Sequence, residues 1–105
     1  MNTEEFVKGF YREKQDFLTE YLSKNPESEV GQLIKSLNLN NQQNEIMKKI
    51  MDGTLTDIFY TVLLGLDGCI SIGGTQEMYD LKDENGNQLS GEIEGYAYEY
   101  FQEAE

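Results

Sequence analysis

A chain of 105 residues with 20 Asp+Glu against 8 Lys+Arg carries a formal net charge of −12, at a length that builds one small domain with little stability to spare. Hydrophobic residues at 38% and aromatics at 11% exclude wholesale disorder. With no histidine and one cysteine, the commonest general base, the commonest metal ligand and any internal disulfide are missing, so most familiar catalytic constellations fall away.

The first expected element is a helix from Thr3 to Ser23, where Phe6, Val7, Phe10, Phe17, Leu18, Tyr21 and Leu22 recur mostly at helical spacing. Asn25-Pro26 ends it. A second helix starts near Ser28, carries Val30, Leu33, Ile34 and Leu37 at i, i+3, i+4, i+7, and stops in the asparagine-rich 38–41 stretch. A third places Ile46, Met47, Ile50 and Met51 on one stripe before Asp52-Gly53 breaks it. A fourth, Thr54 to Leu66, puts Leu55, Ile58, Phe59, Val62, Leu63 and Leu66 on one face, and Thr54-x-x-Asp57 reads as its capping box. A strand competes there, because Ile-Phe-Tyr-Thr-Val is rich in β-formers, but the length and the 3.6-residue spacing favour a buried helix. All four stripes read as core.

Asp67-Gly68 turns the chain into Cys69 to Ile72, an expected short strand that Gly73-Gly74 ends. Met78 to Lys82 and Gln88 to Ser90 flank Asp83 to Asn87, where Asn85-Gly86 signals a tight hairpin. From Ser90 onward the chain reads either as a strand or as a helix. The helix is favoured: it stacks Ile93, Tyr96, Ala97, Tyr100 and Phe101 on one side, with Ser90 as cap and Glu92 and Glu94 in the first turn. The expected fold class is α+β, in a single domain spanning 1–105. It comprises an N-terminal bundle of three to four helices, a small antiparallel hairpin or sheet, and a C-terminal acidic amphipathic helix.

Charge is uneven along the chain. Residues 1–66 hold 10 acids and 7 bases, whereas residues 67–105 hold 10 acids and only Lys82, a net −9. Such a surface is repelled by nucleic-acid phosphates and anionic membranes and attracts a basic protein, although acidity also serves plain solubility. The N-terminal MNTEEF is not an export signal, and the Ile58–Leu66 run is too short and too interrupted to span a bilayer. A cytoplasmic location follows as the expectation, with Cys69 a small buried hydrophobe in a reducing compartment.

Chemical motifs fail on inspection. Asp83, Asn85, Gly86 and Glu92 match four positions of a calcium loop, but its first position is Leu81 and its eighth Gln88. Gly68-x-x-Ser71-x-Gly73 has the wrong spacing for a nucleophile elbow, and Gly73-Gly74-Thr75 lacks the lysine of a phosphate loop. Close carboxylate pairs such as Glu92 and Glu94 are expected by chance in so acidic a chain. No catalytic residue, cofactor or metal ligand is assigned, and the chain is read as a non-enzyme.

The run Leu63 to Gly68, then Tyr79-x-Leu81-x-Asp83-Glu84-Asn85-Gly86-Asn87-x-Leu89, then an acidic aromatic helix resembles small acidic bacterial proteins associated with toxin immunity. The resemblance implies a cytosolic inhibitor that docks on a cognate toxin. Colicin-nuclease immunity proteins are similar in using an acidic helix with tyrosines, but they are all-helical and share no motif, so no residue is carried over. The resulting expectation is a basic partner, a toxin or a nucleic-acid enzyme, bound by the C-terminal face. Tyr98 is its anchor, Glu94 and Glu99 supply charge pairs, and Asp83, Glu84 and Glu92 steer at the rim. Two other readings stand beside it: a nucleic-acid mimic that blocks a DNA-binding enzyme, and a homodimer packed through its tyrosines.

Overall fold

The computed structural model describes residues 1–103. Three helices follow one another: α1, Thr3–Tyr21; α2, Glu29–Ser36; and α3, Asn41–Leu66. After a long connection come α4, Ile93–Tyr98, and a π-helical turn, Glu99–Glu103, that continues it.

Side chains beside each helix start explain where the elements begin. Asn2 accepts from the Glu5 amide at 2.8 Å while Glu5 accepts from the Asn2 amide at 3.1 Å, a reciprocal cap for α1. Asn40 and Gln43 repeat the arrangement for α3 at 2.9 Å each way. Ser28 accepts from the Gly31 amide at 3.0 Å to cap α2, and Glu20 of α1 accepts from the Glu27 and Ser28 amides at 3.0 Å, tying the second helix to the first.

Antiparallel pairing of α1 and α3 organises the molecule. Phe10 meets Phe59 edge-on at 5.9 Å, and further along Lys14 reaches Asp52 at 2.9 Å and Thr56 at 3.0 Å. The last helix lies across both, so Val7, Leu63, Leu64, Ile93, Ala97 and Phe101 form one buried cluster. Two neighbouring rings both face α1 from the π-helical turn: Tyr100 lies 6.0 Å from Tyr11, and Phe101 lies 5.8 Å from Tyr11 and 6.3 Å from Phe59. The molecule is long, 47 × 29 × 25 Å, with a radius of gyration of 16.1 Å. A compact chain of this length measures about 13 Å.

The α+β expectation is overturned: the described residues form an all-α structure without a strand or a sheet. Both turns form, but neither grows into a ladder. Gly73 and Gly74, at φ 60° and 86°, close a turn in which only Ile72 and Thr75 pair. Ile72 then lays its side chain against Gly65 of α3, so no face is left for a sheet. At the second turn only Lys82 and Gln88 pair, because Asp83 accepts from the Asn85 and Asn87 amides at 2.9 Å and holds the loop itself. An isolated two-stranded hairpin is marginal in water, and nothing here supplies a third strand.

The expected break at Asp52-Gly53 is also absent. One 26-residue helix runs through it, leaving Thr54 mid-helix and not a cap. An interior glycine costs about 1 kcal/mol relative to alanine. The Lys14 contacts to Asp52 and Thr56 flank that position and offset the cost. Several stripes assigned to the core are exposed: Val30 and Leu33 of α2 with Leu37 at its C-cap, and Ile46, Ile50, Ile58 and Val62 of α3. Among the described residues, no helix is long and apolar enough to cross a membrane.

Candidate functional site

Helix α4 is too short to be stable alone and is held in place by Asp67. This carboxylate is the C-cap of α3, is 7% exposed, and accepts from the Gly91 amide and, at 2.9 Å, from the Glu94 amide. The expected cap, Ser90, serves the preceding loop: its hydroxyl accepts from the Leu81 amide at 2.9 Å and donates to the Tyr79 carbonyl at 2.8 Å. Asp67 was read from sequence only as a turn residue. Its signal, a carboxylate followed by glycine at the end of an apolar helix, does not reveal which distant amides it serves.

With Ile93, Ala97 and Phe101 inward, Glu92, Glu94, Tyr98, Glu99 and Gln102 face solvent. Tyr98 is half-exposed, one helical turn beyond Glu94 and next to Glu99. None of these carboxylates takes part in an ion pair among the described residues, where the pairs are Met1 with Asp83, Lys14 with Asp52 and Lys82 with Asp80. The structure therefore leaves Glu92, Glu94, Tyr98 and Glu99 exposed on and beside α4 without ion-pair partners among the described residues, Glu94 on the side of Tyr60 and Cys69 and Glu92 beside Asn87 and Gln88.

Asp83 and Glu84 sit apart from that helix, on the second loop. Asp83 is engaged internally: besides the loop amides it accepts from the Asn87 side chain at 2.8 Å and from the Met1 ammonium at 2.9 Å. The Met1 ammonium, then Asn87, hold its carboxyl well below the usual range, and Met1 is raised in return by Asp83. Glu84 is exposed. Of the two, only Glu84 is free to steer.

Cys69 is exposed, contrary to the expectation of a buried thiol. Partial desolvation first, then the Glu94 and Asp67 carboxylates, push its thiol up to about 11, the reverse of what a nucleophilic cysteine requires. Tyr60 stands on the same side, its hydroxyl raised by desolvation and by Glu94 and Tyr98. Glu94, Tyr98, Tyr60 and Cys69 are thus neighbours where α3 meets α4.

Lys14 escaped sequence reasoning. It is 6% exposed and lies 5.3 Å from the Tyr11 ring centre and 5.7 Å from that of Phe101. Its position seven residues after Val7, on the inward stripe of α1, was the available signal. It borders a groove of about 460 Å³ shared with Lys48, Lys49, Asp52 and Tyr100, where its own charge is met by Asp52. No family model, no curated protein and no solved structure matches this chain.

Proposed function

We propose that this chain is a non-enzymatic protein-binding module whose acidic α4 surface docks on a basic protein, as an inhibitor of the immunity type covers a toxin or nuclease. The observation that carries the reading is the set Glu92, Glu94, Tyr98 and Glu99: exposed, without ion-pair partners among the described residues, and on a helix latched by a buried carboxylate. An aromatic between carboxylates on a preorganised element is the pattern of an interface anchor with its charge pairs, and rigidity lowers the entropic cost of docking. Glu84, on its separate loop, adds steering charge, while Asp83 is held within that loop. The contrast in fold class with the colicin-nuclease immunity proteins no longer holds, but no shared motif carries a residue across.

Association kinetics with the captured basic partner test this reading. The on-rate falls steeply as salt rises, and Tyr98→Ala weakens binding by about 30-fold, the scale of a central aromatic anchor. A salt-independent on-rate together with an unaffected Tyr98→Ala variant contradicts it. Competition by duplex DNA for the same partner surface marks that partner as a nucleic-acid enzyme.

A further inference from the structure

Where α3 ends, the loop that follows folds back against it and builds an apolar notch. Val62, Gly65 and Leu66 of α3 and Ile72 and Tyr79 of the loop line a space of about 200 Å³. Val62, Ile72 and Tyr79 are 38, 43 and 46% exposed, and Ile58, one turn before Val62 on the same side of α3, is exposed as well. A gathered apolar surface of this kind marks a contact site. Hydrogen bonds hold its walls. Ile72 and Thr75 pair through their backbones at 2.8 and 3.1 Å, and the Ile72 side chain rests on Gly65, where α3 has none of its own. The Gln76 side chain donates to the Gly68 carbonyl at 2.8 Å, and the Ser90 hydroxyl donates to the Tyr79 carbonyl at 2.8 Å. Ile72 and Tyr79 are thus fixed at the surface, outside the core cluster.

Charge selects the occupant. Residues 53–81, which supply the whole notch, hold the acids Asp57, Asp67, Glu77 and Asp80 and no base. Asp67 is the buried latch of α4, and Asp80 faces Lys82 at 3.3 Å. That leaves Asp57, next in sequence to Ile58, and Glu77, next to Met78, as exposed carboxylates without ion-pair partners among the described residues. The notch also continues toward the acidic surface: Met78 lies against Gly68, and the next residue, Cys69, stands beside Glu94. An anionic lipid surface and a second copy of net charge −12 are repelled there, whereas an apolar group carried by a cationic chain is attracted. A cavity of about 150 Å³ suffices for a benzene ring, so the notch has room for one large side chain.

We infer that the notch receives one large apolar side chain of a basic segment, flanked there by lysine or arginine, as a second anchor beside the α4 contact. The inference deepens the proposed function and rests on its reading of a basic partner.

Tryptophan fluorescence tests it, because the chain has no tryptophan of its own. The probe is the acetylated and amidated pentapeptide Lys-Lys-Trp-Lys-Lys, titrated with the full chain at low salt. The expected result is a saturable blue shift of its emission, weakened about tenfold or more by Val62→Asn with Tyr79→Ala and unchanged by Tyr98→Ala. Absence of a saturable shift overturns the inference, as does a folded Val62→Asn/Tyr79→Ala chain that binds the peptide as the parent does. A shift that Tyr98→Ala removes and the notch variant keeps puts the indole on α4, which supports that surface and overturns the notch. Notch binding together with a captured partner indifferent to Tyr98→Ala keeps the notch and removes the α4 reading. Should the notch variant fail to fold, nuclear Overhauser contacts between the indole and the Val62 and Ile72 methyl groups of the parent chain decide: their presence supports the inference, and their absence refutes it.

Discussion

Asp67 is the single residue on which the acidic surface depends most, and Asp67→Ala measures that dependence. The carboxylate is 7% exposed and accepts from the Gly91 and Glu94 amides, so its removal leaves two donors at a helix start without a partner. An unsatisfied buried donor costs about 1–3 kcal/mol, which gives about 2–6 kcal/mol for the pair if water fails to reach them. A domain of this length has a total stability of about 5–15 kcal/mol, so the loss is a large fraction of the whole. Asp67→Asn keeps one acceptor oxygen and costs less, about 1–2 kcal/mol. Urea unfolding gives the two values, and hydrogen exchange at the Gly91 and Glu94 amides locates the loss in α4. An Asp67→Ala chain within about 0.5 kcal/mol of the parent, the range of an ordinary surface substitution, refutes the latch.

Two further substitutions probe the frame. Gly53 lies in the interior of α3 with nothing within 4 Å of an added Cβ, so Gly53→Ala raises stability by about 0.5–1 kcal/mol in urea unfolding. Destabilisation there means the helix does not run unbroken through Asp52-Gly53. The Tyr100 hydroxyl donates to Glu4 at 2.8 Å, and that bond, with desolvation, pushes it up to about 12 from 10.0 in the unfolded chain. The folded form holds its proton more tightly, so the contribution is complete below pH 10, declines between 10 and 12, and vanishes above. Cys69, raised from 9.0 to about 11, acts in the same sense between those two values. Stability measured against pH falls across this alkaline window, to which the raised Tyr60 hydroxyl also contributes, and Tyr100→Phe reduces the upper part of the fall while Cys69→Ala reduces the lower.

The first two helices were legible from their periodic stripes, the second with its start near Ser28, whereas the reciprocal caps at Asn2 and Asn40 were not expected. The stripe Ile93, Ala97, Phe101 was legible from its spacing alone, although the expected cap Ser90 serves the preceding loop, and so was the outward set Glu94, Tyr98 and Glu99. What failed needed tertiary information. A Gly53 break is averted by Lys14 on another helix, and β-like segments stay single because Ile72 is drawn onto Gly65 and Asp83 onto its own loop. Periodicity marks an apolar face without saying whether the same chain covers it, which is why Ile46, Ile50 and Ile58 read as core and stand exposed. Asp67 was invisible as a cap because its acceptors serve amides 24 and 27 residues away.

The most direct test of the central claim is a side-by-side capture from the producing cells with the parent chain and the Glu94→Gln/Tyr98→Ala/Glu99→Gln variant, both shown folded by circular dichroism. The account predicts that the parent retains a basic protein, that salt releases it, and that the variant retains little or none. Equal retention by both chains, or a parent that retains no basic protein, contradicts the assignment of function to the α4 surface.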